Sequence, residues 1–343
     1  SALYRRLDQE GYSNLIFRNH SDLDLTGQAD VEAFFKLEMP EYVFLAAAKV
    51  GGILANDTYP AEFIYMNLAI QNNVIHAAWR TGVQRLLFLG SSCIYPRECP
   101  QPMKEEYLLT GSLEPTNEPY AVAKIAGIKM CQSYNRQYGT RYLCVMPTNL
   151  YGPNDNFDLE TSHVLPALIR KFHLAKLADQ RDWEGIIKDE QKHGKIPDEF
   201  KKSIEVRASF ADNQAIPSSI HPKVLLWGSG KPRREFLHVD DLAGACVFLS
   251  RLKEEDLREF FDLNHTPLLN IGCGEDLTIK EIASIVSEVV GYKGDVQWDQ
   301  DKPDGTPQKL LDISKIKKLG WKPTIGLRNG VRDVYDWYLR QTN

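Results

Sequence analysis

Tyr120 and Lys124 stand four residues apart in Tyr120-Ala121-Val122-Ala123-Lys124, a spacing that puts both side chains on one face of a helix, a turn apart. An ammonium beside a phenol lowers the cost of the phenolate. The pair is therefore expected to move the tyrosine towards neutral pH and fit it for proton transfer. Ser91 closes an apolar run, Arg85-Leu86-Leu87-Phe88-Leu89-Gly90, and its hydroxyl can hydrogen-bond the same reacting oxygen. Spacing alone says little, because tyrosine packs and lysine is solvated on many helices. The setting adds weight: an apolar strand ending in Gly90-Ser91-Ser92-Cys93, followed by an amphipathic helix that carries the pair.

Such groups need a scaffold that brings strand ends and helix starts to one edge. Periodicity predicts helices over 1–9, 30–38, 61–81 and 121–138, and strands over 14–18, 42–48, 85–89 and 142–147. Gly11 stops the first helix, and the second is expected to be capped near Asp30. The 42–48 run is apolar on both faces, as strands of parallel sheets are. This alternation defines an α/β fold, a Rossmann-like doubly wound parallel sheet, over residues 1–150, with 224–250 contributing. Its first strand and Gly-rich turn are missing from the chain, and about 15 further residues carrying them are expected ahead of Ser1. Beyond Asn149 the alternation loosens into a smaller lobe, 151–343, with helices over 162–173, 240–252, 278–290 and 331–340 and strands over 224–227 and 268–271. Residues 174–223 form a charge-rich insertion with helical pieces at 174–191 and 198–211, broken by Gly194, Pro197, Pro217 and Pro222. Its mixed charges predict a solvated excursion. A lid, an oligomer contact and an inert insertion all stay open as its role.

Composition narrows the class. The 343 residues are 43% hydrophobic and 25% charged with a net charge of −5, ordinary for a globular protein and unsuited to general nucleic-acid or membrane-surface binding. Apolar runs are strand-sized, so no membrane span is expected. Cys93, Cys99, Cys131, Cys144, Cys246 and Cys273 make no CxxC pair and no zinc spacing. No metal is expected, and scattered thiols suit a reducing, cytoplasmic setting.

The same stretches resemble a known family. Gly90-Ser91-Ser92-Cys93-Ile94-Tyr95-Pro96, then Glu114-Pro115-Thr116-Asn117-Glu118-Pro119-Tyr120, then Lys124 look like an extended short-chain dehydrogenase/reductase. Ala46-Ala47-Ala48-Lys49-Val50-Gly51-Gly52, Met146-Pro147-Thr148-Asn149-Leu150-Tyr151-Gly152, Arg234-Glu235-Phe236-Leu237-His238-Val239-Asp240-Asp241 and Lys302-Pro303-Asp304-Gly305-Thr306-Pro307 narrow the likeness to the GDP-L-fucose synthase branch, over nearly the whole chain except the insertion. That branch carries a first strand and Gly-rich turn ahead of the position of Ser1. The resemblance implies NADPH-dependent 3,5-epimerisation and 4-reduction of GDP-4-keto-6-deoxy-D-mannose.

Residue by residue, the resemblance implies a reductase triad of Ser91, Tyr120 and Lys124. It implies an epimerising pair, Cys93 and His163, one acid and one base on opposite faces of the sugar. Read without it, Cys93 is a buried thiol and His163 a helix-cap histidine. The NADP contacts it implies are Arg18, Asp24, Leu25, Ala46, Ala47, Ala48, Lys124, Pro147, Asn149, Leu150 and His163. Arg18, after the second strand, suits a 2′-phosphate better than an acidic residue would, although His20 replaces a second basic residue. Val164, Leu168, Lys171, Trp227, Arg234 and Lys309 are implied to hold the GDP-sugar between the lobes, Trp227 by stacking and Arg234 and Lys309 by neutralising the diphosphate. Lys171 replaces a frequent arginine, and Gln308 stands where a cation is frequent. The helices 61–81 and 121–138 resemble those of a four-helix homodimer interface.

Two other readings compete. A reductase without epimerisation, acting on a related GDP-4-keto sugar such as a heptose, needs neither Cys93 nor His163. A dinucleotide-binding module without catalysis needs no triad. A GDP-mannose dehydratase is disfavoured, because Ser91-Ser92-Cys93 replaces its Thr-Asp-Glu-like strand end.

Overall fold

The computed structural model describes residues 2–205, 221–262, 265–302 and 304–342. The end of the 198–211 helical piece, Pro217 and Pro303 lie outside the described residues. The chain forms two compact units. The first comprises Ser1–Leu150, Glu235–Gly274 and Leu310–Thr324; the second comprises Tyr151–Arg234, Glu275–Lys309 and Ile325–Asn343.

Four parallel strands organise the first unit, in the order Tyr42–Leu45, Arg85–Leu89, Tyr142–Pro147, Leu268–Ile271. Phe44 lies beside Leu87, Phe88 beside Cys144, and Met146 beside Asn270. Tyr142–Pro147 is buried along its whole length, which is why it is an unbroken apolar run. Helices Pro60–Arg80 and Glu118–Tyr138 pack on one another. A Cβ on Gly127 would lie 2.5 Å from the Phe88 ring, so only glycine lets the helix approach the sheet this closely. The buried Gln71 crosses between the two helices, its Nε2 donating to the Ala123 carbonyl at 2.6 Å. Ala2–Gln9 packs against Val239–Arg251, and Arg5 pairs with Asp240 at 2.6 Å.

Several expected elements differ. Residues 14–18 are not a strand: among the described residues no strand pairs with them, and Phe17 is 55% exposed. An extended run becomes a strand only when a neighbour takes its hydrogen bonds, and Tyr42–Leu45 is the edge of the sheet. The 42–48 strand ends at Leu45, and Ala46–Ala48 leave the sheet. The second helix is Gln28–Glu38, entered from Gly27, with Asp30 in its first turn instead of at the cap.

The second unit holds the parallel pair Lys223–Trp227 and Asp295–Asp299. It also holds a three-stranded patch of Gln308–Lys309, Arg233–Arg234 and Leu277–Thr278. Its helices are Val164–Asp179, Trp183–His193, Asp198–Ser203, Ile279–Val290 and Leu327–Thr342. Ile279–Val290 starts on a capping box between Thr278 and Glu281.

The insertion is not a solvated excursion over its described part. The expected 174–191 helix is split at Arg181, whose φ is 60°, and restarts on an Asp182 cap. Ile186, Asp189, Ile196, Phe200 and Ile204 are all buried. The charge pattern misled because one of its ions, Asp189, faces inward and meets Arg170 of the preceding helix. Arg170 and Asp189 are both 0% exposed and pair at 2.8 Å. Arg170 also donates to the carbonyls of Phe157, His193 and Gly194, and Tyr338 donates to Asp189. His173 bonds Tyr335 at 3.0 Å nearby, and burial holds its imidazole down at about 4. Removing one partner of a buried ion pair strands the other. Arg170→Met is therefore expected to cost about 3–5 kcal/mol, read as a lowered urea midpoint, with part of the loss recovered in an Arg170→Met/Asp189→Leu double variant.

Candidate active site

Four of the five catalytic candidates meet in the first unit. The Arg85–Leu89 strand ends at Gly90, where a Cβ would lie 1.9 Å from the Met146 side chain. Any larger residue there would have to displace the end of the Met146 side chain. Ser91 then opens a single 3₁₀ turn, Ser92–Ile94, and its oxygen accepts from the Cys93 N–H at 3.5 Å. The turn is anchored from behind: the buried Tyr95 hydroxyl donates to Asn270 Oδ1 at 2.5 Å, and the Asn270 N–H donates to Glu105 at 3.0 Å.

Tyr120 sits in the first turn of Glu118–Tyr138, its phenol hydrogen-bonded to Ser91 and its ring edge-on to Phe63 at 6.3 Å. Lys124, one turn on and buried, donates to the Leu89 carbonyl at 2.9 Å. Its ammonium lies 4.9 Å from the Phe88 ring centre and 5.8 Å from that of Tyr120. Cys93 is close enough to act electrostatically on both Tyr120 and Lys124. A hydroxyl, a phenol, an ammonium and a thiol thus share one pocket edge at the end of a strand.

Their electrostatics correct one expectation. Tyr120 is not moved towards neutral pH: burial pushes its phenol well above the ordinary range, with Cys93 adding and the Ser91 hydrogen bond opposing. Burial also brings Lys124 down to about 8, opposed by Cys93 and Cys144. Desolvation is the first cause of both shifts, and the Lys124 ammonium donates to the Leu89 carbonyl. A phenol that keeps its proton is suited to give it up to an alkoxide, a far stronger base than a phenolate.

The residues here fit a nicotinamide dinucleotide. Ala46 and Ala47 leave the end of the Tyr42–Leu45 strand exposed and without bulk. Pro147 and Thr148 are buried at the end of the neighbouring strand run, with Asn149 and Leu150 partly open. Asn149 is fixed by donation to the Glu235 carbonyl at 2.9 Å. Arg18 is placed otherwise than expected. It follows no strand, its guanidinium pairs with Glu38 at 2.6 Å, and it lies over the Phe34 ring at 5.6 Å. Asp24 is tied into its own turn by Thr26, and the Leu25 carbonyl accepts from Asn73.

The remaining candidates lie in the second unit. His163 is the exposed N-cap residue of Val164–Asp179 and makes no capping bond with its side chain. Val164 is 43% exposed, whereas Leu168 is buried. Lys171 is half-buried, donates to the Leu225 carbonyl at 3.1 Å, and lies 5.4 Å from the Phe200 ring centre and 5.9 Å from that of Trp227. Burial brings its ammonium down to about 8. Trp227 is 62% exposed, with the Lys302 ammonium 5.3 Å from its ring centre. Arg234 and Lys309 are register partners in adjacent parallel strands. Gln308 is not idle: it donates to Asp276 at 2.6 Å, the carboxylate that also pairs with Arg233. Phe200 brings the insertion onto Lys171, a contact that the charge-rich sequence of 174–223 did not signal.

Sequence reasoning also missed Lys49, whose ammonium lies 5.5 Å from the ring centre of Phe63, the ring that meets Tyr120. It missed Asn270 and Glu235 too. Asn270 is a single polar residue in an apolar run and Glu235 one more charge after Arg233 and Arg234, patterns that mark a buried satisfied polar group as readily as a site. Among the described residues, no group of three or more His, Cys, Asp or Glu could hold a metal ion.

A parallel sheet with a Ser–Tyr–Lys group at its strand ends defines a Rossmann-like oxidoreductase site. The chain belongs to the NAD dependent epimerase/dehydratase family, whose model matches residues 1–188 and 199–262. It is 52% identical over 340 residues to "GDP-L-fucose synthase 1" of Arabidopsis thaliana, covering 99% of this chain and 90% of the relative. It is 48% identical over 342 residues to "GDP-L-fucose synthase" of Escherichia coli strain K12, covering 99% and 92%. Among solved structures, a GDP-D-glycero-L-gluco-heptose synthase from Campylobacter jejuni, crystallised in the presence of NADPH, superposes with a TM-score of 0.86 at 41% identity, covering 98% of this chain and 94% of that one.

Proposed function

We propose that this protein is an NADPH-dependent enzyme that inverts C3 and C5 of GDP-4-keto-6-deoxy-D-mannose and then reduces C4, giving GDP-L-fucose. The observation that carries the reading is Cys93 beside Tyr120 and Lys124. A reductase uses the hydroxyl, phenol and ammonium but has no work for a thiol there, whereas inversion next to a ketone needs a second acid–base pair. The 4-keto group acidifies C3–H and C5–H. Cys93 and His163 take the two proton-transfer roles, one removing a proton and the other returning one to the opposite face.

When bound, the nicotinamide supplies the hydride that reduces C4. Tyr120 gives its phenolic proton to O4 as the alkoxide forms, and Ser91 hydrogen-bonds the same oxygen. Lys124 stabilises the phenolate left behind and holds the nicotinamide ribose. Ala46–Ala48, Pro147, Asn149 and Leu150 flank the cofactor, with Arg18, Asp24 and Leu25 on its adenosine side. Arg18 reaches a 2′-phosphate only by leaving Glu38. Trp227 stacks on the base, beside Val164, Leu168 and Lys171, and Arg234 and Lys309 take the diphosphate.

Lys124 gives a pH prediction. Its ammonium persists below about 8 and is lost above it, so kcat/KM for reduction is expected to fall as pH rises through that value. Lys124→Arg, charged throughout, should move the falling limb beyond pH ~10 if it stays active at all. A limb unmoved in an active Lys124→Arg would assign it to another group.

The second reading, C4 reduction of a GDP-4-keto heptose without inversion, is favoured by the likeness to the heptose synthase. NADPH oxidation across a panel of GDP-4-keto sugars, with product stereochemistry by NMR, tests both. Preference for the 6-deoxyhexose with inverted C3 and C5 supports the main reading, and preference for a heptose with retained centres supports the other. We further infer a homodimer through Pro60–Arg80 and Glu118–Tyr138, on whose outer faces Tyr65 is 70% and Val122 39% exposed, and a cytoplasmic setting, in keeping with six cysteines that form no disulfide among the described residues. Among the described residues no helix is long and apolar enough to cross a membrane.

A further inference from the structure

The chain passes between its two units five times: after Leu150, before Glu235, after Gly274, before Leu310 and after Thr324. Four of these points converge on one side chain inside the first unit. Glu235 is 0% exposed. One carboxylate oxygen accepts from the Gly274 N–H at 2.7 Å and the other from the Leu311 N–H at 3.0 Å. The Cys273 N–H also bonds this carboxylate, which lies close to the Thr148 hydroxyl. Its own carbonyl accepts from Asn149 Nδ2 at 2.9 Å and from Thr148 Oγ1 at 3.3 Å. The space is shaped for it: a Cβ on Gly272 would lie 2.2 Å from Glu235 Oε1. The fifth point is held in the same way six residues on. The buried Asp241 accepts from the Thr324 N–H at 3.0 Å and its hydroxyl at 2.8 Å.

Buried carboxylates are costly unless every lone pair is used. Here the donors are backbone amides from segments far apart in sequence, so the bonds fix chain exits and not local turns. We propose that Glu235 and Asp241 form a clasp that fixes all five points where the chain leaves the first unit, and that Glu235 is thereby a positioning residue for nucleotide-sugar binding. Arg234 precedes Glu235 directly, and Lys309 lies two residues before Leu311, whose amide Glu235 holds. The two cations are register partners, so both start from positions set by one carboxylate. Asp241 secures an exit beside which no substrate residue stands. This inference rests on the assignment of Arg234 and Lys309 to the diphosphate.

The test is steady-state kinetics on the full chain with GDP-4-keto-6-deoxy-D-mannose and NADPH, alongside urea denaturation. Glu235→Gln replaces one acceptor by a donor facing an amide. It is expected to raise KM for the nucleotide sugar at least about tenfold, the scale of a lost charge-assisted hydrogen bond, with KM for NADPH changed less than about twofold. Asp241→Asn should lower the urea midpoint while leaving both KM values unchanged. A purely structural role predicts instead that the two variants behave alike. Unchanged sugar KM in folded Glu235→Gln, or equal rises for sugar and NADPH, overturns the proposal. If Glu235→Gln does not fold, Thr148→Val removes a single hydroxyl from the cluster and should show the same split at about threefold; no split overturns the proposal. Arg234→Ala and Lys309→Ala separate the two levels. If they raise sugar KM and Glu235→Gln does not, the clasp alone fails. If they leave it unchanged, the diphosphate assignment fails and the positioning role falls with it.

Discussion

Tyr120→Phe is expected to lower kcat for NADPH-dependent reduction by about 10³-fold, in the middle of the range for loss of a positioned general acid. The substitution removes one oxygen, the atom that hydrogen-bonds Ser91, and leaves the ring against Phe63. Packing is kept, so the loss is chemical. Ser91 can hydrogen-bond the alkoxide but has no acidic proton to match a phenol's. Exchange at C3 and C5 should continue in this variant, because Cys93 is untouched. Stopped-flow NADPH absorbance reads the first effect and proton NMR in heavy water the second. Loss of both activities in a folded Tyr120→Phe protein would mean that the phenol serves inversion as well as reduction.

The mirror-image result is expected for Cys93→Ala: exchange at C3 and C5 falls by about 10³-fold, while hydride transfer survives on the uninverted ketone. The thiol is buried at 9% exposure and lies in the 3₁₀ turn that also carries Ser92 and Ile94. Its removal leaves a void of one sulfur and keeps the Ser91 and Tyr120 geometry. The product would then be a 6-deoxyhexose with C3 and C5 retained. Cys93→Ser separates size from acidity: serine fills the space but holds its proton far more tightly, so it should rescue folding and not exchange. Rescue of exchange by serine would show that Cys93 only packs. Together the two variants divide one site into two chemistries that share a ketone and little else.

How much of this was legible beforehand varied by residue. The strands at 85–89 and 142–147 and the helices over them could be read because uninterrupted apolar runs and 3.6-residue patterns report burial directly. The run at 14–18 is also apolar at its centre but has no partner within the described residues, and hydrogen-bonded partners are not written in a strand's own sequence. Ser91, Tyr120 and Lys124 were legible as candidates because chemistry-bearing residue types cluster at the ends of two readable elements, whereas Cys93 became a candidate only through the family resemblance. The direction of the Tyr120 shift was read wrongly: residue spacing shows that Lys124 is near, but not that burial of the phenol dominates. Asp189 looked like one more charge in a charged stretch, and only the fold shows it facing Arg170 of the preceding helix away from solvent. Glu235 was hidden in the same way. Its function comes from the amides of residues 273, 274 and 311, which no local pattern connects.

The central claim is that one site both inverts and reduces, and isotope incorporation tests it most directly. GDP-4-keto-6-deoxy-D-mannose and NADPH are incubated with the enzyme in deuterium oxide, and the product is read by proton NMR. The account predicts an L-configured 6-deoxyhexose carrying solvent deuterium at C3 and C5. Efficient NADPH oxidation giving a product with protium at both carbons and both centres retained would contradict it.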